Sequence, residues 1–366
     1  MPGPGRGRGV LTAMSGGVDS SVAALVLKER GLRVVGVTMK LVEEDDDDAP
    51  PSPGSCCSLA DVADARAVAL KLDIDHQVHN FSHAFRTEVV EPFIAAYLAG
   101  RTPNPCIECN RRLKFPRLQR RAPLLDCDLT ATGHYARIER DGRDGRWLLK
   151  KGLDEDKDQS YVLYAMTQPE LARTLFPLGA LRKEQVRRLA AERRLTTADK
   201  PDSQDLCFVR HGRYAEWLER AAAAARPGPL VDRDGRTLGR HQGIHRFTVG
   251  QRRGLGLSAP RPLYVTDIDP AANAVTVGPE EELARSSATI VDVNLIAFEE
   301  LKEPLAVTAK LRYRQKDFPA VVEPLAPGRA RLVFDRPQKG VAPGQAAVFY
   351  HGDVVVGGGT IDSSAL

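Results

Sequence analysis

The chain has 366 residues, 42% of them hydrophobic and 27% charged, which is ordinary globular composition. At roughly 150 residues per domain this length predicts two or three domains, with a core large enough to stand without disulfide staples. No run approaches the roughly 18 consecutive apolar residues of a membrane helix, and the N-terminal MPGPGRGRG lacks the apolar stretch of a secretory signal. A soluble, cytoplasmic protein with no membrane partner is expected. The net charge is only +4, but six consecutive acids, Glu43 to Asp48, offset basic clusters around Arg111–Arg121, Arg182–Arg188, Arg252–Arg253 and Lys310–Lys316. Those clusters permit a polyanionic partner without requiring one.

The first half alternates apolar runs with helical patterns, as a parallel α/β sheet does. Strands are predicted at Val10–Met14, Leu32–Met39, Asp75–Phe81 and Leu124–Ala131. Helices are predicted over Ser21–Arg30, Leu59–Leu72, Ala84–Ala99 and Pro169–Arg194. The Pro-rich acidic stretch Glu43–Gly54 is expected to be a solvated surface loop. Beyond about Val209 a helix over Arg213–Ala225 gives way to short β-rich runs separated by Gly, Pro, Asp and Asn. Asp234-Gly235 is a hairpin turn signal, and the spacing of the runs predicts small barrels or sandwiches. Gly254-x-Gly256-x-x-Ala259 imitates a dinucleotide fingerprint, but Pro260 follows at once in a β-rich region, so a loop is expected there.

The chemistry begins with Ser15-Gly16-Gly17-Val18-Asp19-Ser20, set between a predicted strand and helix. Paired glycines let successive N–H groups face inward, the following helix contributes its positive end, and the serines add hydroxyl donors. This is a phosphate cradle, though no Walker sequence occurs anywhere in the chain. Six cysteines fall as Cys56-Cys57, Cys106-x-x-Cys109, Cys127 and Cys207, too sparse for a disulfide scaffold. No second pair has zinc-finger spacing. Pro103 and Pro105 predict a stiff, extended Thr102–Phe115. A Cys109 thiol on it, beside Arg111, Arg112 and Lys114, would have its thiolate favoured. Cys207 lies in DKPDSQDLCFV, and spacing alone does not say whether it meets Cys109. Cys56-Cys57 and Cys127 read as packing residues.

SGGVDS resembles the signature of the PP-loop ATP pyrophosphatases, which split ATP between its α and β phosphates and adenylate a substrate oxygen. Taken with TPNPCIECNRRLKF, ATGHYAR, DKDQSYVLY, DSQDLCF, GQRRGLG, LRYRQ and PGQAAVFY, in that order, the whole chain is similar to the tRNA-specific 2-thiouridylases. The resemblance implies an N-terminal PP-loop domain at 1–210, a small central β-rich domain at 211–283 and a C-terminal β-barrel at 284–366. It implies ATP and Mg²⁺ as co-reactants. Ala13, Met14, Ser15, Gly16, Gly17, Val18, Asp19, Ser20, Met39 and Gly133 would then serve ATP. Asn104, Pro105 and Cys106 would meet the target base, and His134, Lys157, Asp158, Gln159, Arg312, Tyr313 and Gln345 the tRNA. Cys207 would carry a persulfide and Cys109 would be the nucleophile that resolves it through a transient Cys109–Cys207 disulfide. The sulfur would come from a cysteine desulfurase or persulfide relay protein. Where this family often has Asp, the chain has Cys106. That leaves open Cys106 as the resolving thiol, or an iron–sulfur cluster on Cys106, Cys109 and Cys207. A PP-loop synthetase acting on a small acid, and a non-catalytic tRNA-binding protein, are the competing readings.

Overall fold

A computed structural model describes residues 9–42, 58–202, 207–209, 218 and 226–365. The acidic run, Cys56-Cys57 and all of the predicted 213–225 helix except Leu218 lie outside the described residues. The chain divides into two compact units. One comprises residues 1–89, 106–212 and 353–355, the other 90–105, 213–352 and 356–366. No helix among the described residues is long and apolar enough to cross a membrane.

The first unit is built on β1 (Gly9–Ala13), α1 (Val18–Glu29), β2 (Arg33–Lys40), α2 (Leu59–Lys71), β3 (Asp75–Asn80), β4 (Leu129–Ala131), the hairpin β5 (Ala136–Arg140) and β6 (Trp147–Lys151), and β7 (Thr174–Leu175). Five of these strands form a sheet of order β3-β2-β1-β4-β7, parallel throughout. Strands β1 and β2 are buried along most of their length, as the near-continuous apolar runs of a parallel sheet require. Val22, Ala23 and Leu27 of α1 pack with Val10 and Ala131 of the sheet, Val68 of α2 and Val186 of a later helix in one core. The chain leaves β1 toward β2 on one side and toward β4 on the other. That reversal of direction is where sheets of this class open a crevice at the strands' carboxyl ends.

Four predicted elements differ from the structure. The helix expected over Ala84–Ala99 is interrupted: Ser82–Phe85 and Glu91–Leu98 are α-helical, with a π-helical turn at Arg86–Val90 between them. Pro169–Arg194 is not one helix but Gln168–Ala172, the strand β7, a turn through FPLGA and a helix at Lys183–Glu192. Pro177 and Gly179 break it, and a Cβ at Gly179 would stand 1.8 Å from the Ala136 carbonyl oxygen. The stretch Thr102–Phe115 is extended only at its start. Pro105–Glu108 is helical and Cys109–Lys114 forms a second π-helical turn, because proline is well tolerated at the first position of a helix. Of the predicted strand Leu124–Ala131, only the last three residues pair; Ala122–Leu125 is a 3₁₀ turn.

The second unit carries two all-β modules. A four-stranded sheet joins Gly228–Val231, Thr237–His241, Tyr264–Asp269 and Ala274–Gly278. The predicted Asp234-Gly235 turn links its first hairpin, with Gly235 at φ +81°. Residues 251–262 form the expected loop, without a helix. Six further strands, from Ala284–Leu295 to Val354–Ala365, close into a barrel because the first pairs with both Arg329–Lys339 and the last.

Candidate functional site

The PP-loop is a ring drawn tight by its own polar groups. The Ser20 hydroxyl accepts from the Ser15 N–H at 3.1 Å and donates to the Gly17 carbonyl at 3.1 Å; Ser21 donates to the same carbonyl at 2.9 Å. Gly16 sits at φ +74°, and a Cβ there would lie 2.2 Å from the Asp61 carbonyl oxygen. Only glycine meets both demands. Gly17 caps α1 in an extended conformation and has no side chain of its own to bond the helix's first N–H groups. Those donors and the positive end of a 12-residue helix suit an anion. Gly133, just beyond β4, presses on the same turn: its Cβ would fall 2.8 Å from the Ser20 nitrogen and 2.9 Å from the Asp19 carbonyl carbon. Ala13 and Met14 end the strand beneath, with Met14 buried, and Met39 is buried at the end of β2. The structure thus brings Gly133 against the Ala13–Ser20 turn at the carboxyl ends of β1 and β4, with Met39 near the end of the neighbouring β2.

Around that ring lies an ion-pair network that spacing did not reveal. Asp19 accepts from the Tyr135 hydroxyl at 2.7 Å and from Lys183 Nζ at 2.8 Å on each carboxylate oxygen. Lys183 is buried and also reaches Asp202 at 2.8 Å. Asp202 further receives Lys157 at 2.9 Å and Arg187 at 2.7 Å. Burial alone would raise the Asp202 pKa, but the Lys183 and Lys157 ammonium groups outweigh it and hold the carboxyl down at about 2. The Tyr135 phenol is pushed far above its ordinary value, by burial first and by Asp19 second. Lys200 donates to the Gly16 carbonyl at 3.0 Å and to Asp61 and Asp64 at 2.6 Å each. Desolvation works against its charge, yet the two carboxylates raise its pKa. Tyr135, Lys183, Lys200 and Asp202 were not singled out by the sequence. Tyr135 lies within ATGHY, Lys200 and Asp202 within DKPDSQDLCFV, and Lys183 within the Arg182–Arg188 basic cluster, but nothing in the sequence assigned them a role at the site.

The two thiols are held differently. Cys109 is buried at the first position of the π-helical turn, while Cys106 is exposed and Cys207 half-buried. The expectation of an extended, open Cys109 therefore fails. The preceding helical residues fold it inward, and Arg111 and Arg112 turn outward to pair with Glu108. The next residue, Asn110, donates from its side-chain Nδ2 to the Val162 carbonyl at 3.0 Å, and its side-chain Oδ1 is buried with no hydrogen-bond partner among the described residues. Cys207 stands in a turn whose Phe208 meets Phe85 edge-on at 5.7 Å. Phe85 ends the short helix Ser82–Phe85, which packs against the Cys109–Lys114 turn. The two cysteine segments thus share one helical neighbour. Among the described residues no group of three or more Cys, His, Asp or Glu side chains is placed to hold a metal ion. The geometry accordingly gives no support to a cluster on Cys106, Cys109 and Cys207.

The residues expected to meet tRNA fall into several settings. His134 is half-buried between Phe115 and Phe176, with ring centroids at 6.0 and 5.9 Å. Its Nδ1 lies 2.7 Å from the Thr132 hydroxyl, and burial, helped by Lys114, holds its pKa well below the usual histidine range. Asp158 is buried and braces its own turn, accepting from Gly152 N–H, Ser160 N–H and the Ser160 hydroxyl. Gln159 accepts from the Tyr135 N–H at 2.9 Å. Asn104 is half-buried and Pro105 buried. In the barrel module Tyr313 is exposed and Gln345 half-buried, while Arg312 donates to the Gly340 carbonyl at 2.8 Å.

Comparison with known proteins accounts for this arrangement. The tRNA methyl transferase HUP domain matches residues 8–211, its PRC-barrel domain residues 215–279, and the aminomethyltransferase β-barrel domain residues 285–361. A tRNA-specific 2-thiouridylase from Moorella thermoacetica is 52% identical over 97% of this chain and 99% of its own length. The chain belongs to the tRNA-specific 2-thiouridylase family. A second 2-thiouridylase, from Pelotomaculum thermopropionicum, is 48% identical over 97% of each chain. A solved complex of a 4-thiouridine synthetase with RNA and bound ATP shows a partial likeness, with 18% identity, a TM-score of 0.36 and 58% of this chain covered, against 50% of its own. The fold expected of 2-thiouridylases, a parallel-sheet domain followed by two β modules, is the fold observed.

Proposed function

We infer that this chain is a tRNA-uridine 2-sulfurtransferase, consuming ATP to replace the C2 oxygen of the wobble uridine (U34) by sulfur. The observation that carries this reading is the juxtaposition within one unit of a strand–PP-loop–helix anion cradle and two cysteine segments sharing a helical neighbour. Near-full-length similarity to 2-thiouridylases supports it. The division into 1–210, 211–283 and 284–366 belongs to the same reading.

The α1 N-terminus, the Gly16–Gly17 backbone and the Ser15 and Ser20 hydroxyls would bind the phosphates of ATP, while Met39 and Gly133 border the nucleoside. Mg²⁺, if it accompanies the phosphates, suits the general habit of that ion to bind through phosphate oxygens and water. The uridine C2 oxygen attacks the α-phosphorus, a C2–O–AMP bond forms and pyrophosphate leaves. The terminal sulfur of a Cys207 persulfide then attacks C2 and AMP departs, leaving Cys207 joined to C2 through a disulfide linkage. The Cys109 thiolate attacks Cys207 Sγ, the S–S bond breaks, and 2-thiouridine leaves with its sulfur. Cys109 and Cys207 remain as a disulfide, which an external thiol must reduce before the next turnover. The persulfide arrives from a separate sulfur donor of the cysteine desulfurase or relay class. Asn104, Pro105 and Cys106 would receive the unstacked base, with His134, Lys157, Asp158, Gln159, Arg312, Tyr313 and Gln345 supporting the tRNA.

The test is sulfur incorporation into unmodified tRNA in the presence of ATP, Mg²⁺ and a persulfide source, followed by retardation of the thiolated product on a mercury-containing gel. ATP-dependent retardation is expected. Hydrolysis of ATP with no thiolation under any donor would overturn the substrate assignment.

A further inference from the structure

The residues expected to receive the target base begin at Asn104, and the stretch just before them is tied into the β modules of its own unit. The Thr102 N–H donates to the Pro343 carbonyl at 2.8 Å, and Thr102 is buried. Gly344, at φ +90°, lies so close that a Cβ there would stand 2.8 Å from the Thr102 nitrogen and 3.1 Å from the Arg101 Cβ. The Pro343–Gly344 turn is itself held, since the Gly344 N–H donates to the Ile361 carbonyl and the Ile361 N–H to the Gln345 carbonyl, at 2.8 Å each. Arg101 reaches the same strand, donating to the Ile361 carbonyl at 3.1 Å and to Asp362 at 3.4 Å. The four-stranded module grips the stretch as well. Thr102 Oγ1 donates to the Thr248 hydroxyl at 3.4 Å, and a Cβ at Gly100 would fall 2.9 Å from Ile268 Cγ2.

We propose that Gly344 and Arg101 are positioning residues for target-base reception, through which the C-terminal barrel sets the aim of Asn104 and Pro105 by its hold on Thr102. The inference rests on the base-receiving role in the functional reading above. Pro103 and Pro105 each lock φ at about −65° and each restrict the residue before them to extended conformations. Little freedom is left between Thr102 and Asn104, so a shift at the anchor is carried forward rather than absorbed. Pro103 has no N–H, which makes the Thr102 N–H the last backbone donor before Asn104. A segment anchored in advance also needs no further ordering when the base arrives.

The experiment is a double-mutant cycle between Gly344→Ala and Asn104→Ala, read by single-turnover thiolation at saturating tRNA and by filter binding of tRNA. Gly344→Ala drives a methyl group against the Thr102 backbone and should lower the rate about tenfold. Its tRNA affinity should stay within about twofold of wild type, because phosphate contacts rather than one base supply most of that affinity. In an Asn104→Ala background the same substitution should change the rate by less than about twofold, since its effect runs through Asn104. Damage confined to the fold would instead multiply with that of Asn104→Ala. Arg101→Met should act in the same direction, by about fivefold, and takes the place of Gly344→Ala in the cycle if that variant does not fold. Fully multiplicative losses, or a wild-type rate in both anchor variants, would overturn the coupling. A wild-type rate in Asn104→Ala would instead overturn the base-receiving role on which it rests.

Discussion

Cys109 and Cys207 differ in how the fold holds them. Cys109 is buried in a π-helical turn pinned by Asn110 to the Val162 carbonyl and followed by Phe115, which is wholly buried. Burying a side chain of that size stabilises the turn by about 2–3 kcal/mol. Cys207 stands half-buried in a turn whose Phe208 meets Phe85, and the stretch 198–202, five residues and more before it, is anchored by ion pairs. Packing fixes a group whatever the solution conditions, whereas an ion-pair anchor answers to pH, salt and competing anions. The comparison teaches that one thiol is set in a packed turn, while the ion pairs at 198–202 before the other are the contacts that solution conditions can alter.

The sharpest way to break that comparison is to remove each thiol. Cys207→Ala and Cys109→Ala should each lower thiolation by at least about a thousandfold, the scale of losing an essential nucleophile. The two should fail at different points. Cys109→Ala should accumulate a covalent enzyme–tRNA adduct that dithiothreitol releases, because sulfur has reached C2 and cannot leave Cys207. Cys207→Ala should form none. Denaturing gels with labelled tRNA make the distinction, and wild-type activity in Cys207→Ala would reverse the assignment.

A smaller effect tests the packing around the PP-loop. Gly133→Ala places a methyl group within 3.1 Å of three α1 atoms, the Ser20 nitrogen and the Asp19 carbonyl carbon and oxygen. Relieving that overlap should cost up to about 3 kcal/mol. A fall in melting temperature accompanied by weaker ATP binding is expected, with the binding read by calorimetry. A variant as stable as the wild type would mean that β4 and α1 approach less closely than the structure has them.

The ion-pair anchor at Asp202 also has a pH signature. The Asp202 carboxyl is held at about 2 in the folded chain, below its unfolded value near 4. The linkage therefore stabilises the fold fully above about pH 4 and is lost as the pH falls through 2. The size of that contribution is about 2 kcal/mol. Asp202→Asn should be less stable than wild type at pH 7, and the gap should close in acid. Urea unfolding at pH 7 and pH 2.5 checks this, and a gap independent of pH would show that Asp202 acts through packing instead.

The nucleotide cradle was legible because all its determinants are local. Two glycines, two serines and the strand-to-helix switch lie within a dozen residues. The hairpin at Asp234-Gly235 was legible for the same reason. The Lys183–Asp19–Asp202 and Lys200–Asp61–Asp64 networks were not, because each joins residues up to 164 positions apart and no period or spacing marks such a meeting. The π-helical turn at Cys109 was hidden differently. Pro103 and Pro105 carry an extended signal, but Pro105 opens a helix, and apolar burial of Ile107, Leu113 and Phe115 decides the conformation beyond it. FPLGA shows the reverse case. Its Pro177 and Gly179 are helix breakers, but the helical pattern of the residues on either side runs across them.

The smallest expected effect concerns Cys106, three residues before Cys109 and unlike it in every respect the structure reports. It is exposed where Cys109 is buried, and it lies in a short helix ahead of the π-helical turn. Were Cys106 the resolving thiol, Cys106→Ala would stall with the same tRNA adduct as Cys109→Ala. With Cys109 as resolving thiol, the variant should form no adduct and carry out single-turnover sulfur transfer within about twofold of wild type, the kinetic equivalent of the half kilocalorie typical of exposed substitutions. Any loss should appear in KM for tRNA, through the contact with the target base. Rapid-quench thiolation at saturating tRNA separates these outcomes. An adduct in Cys106→Ala would move the second thiol from the packed turn to the exposed helix, and the contrast between a packed and a charge-anchored cysteine segment would no longer hold.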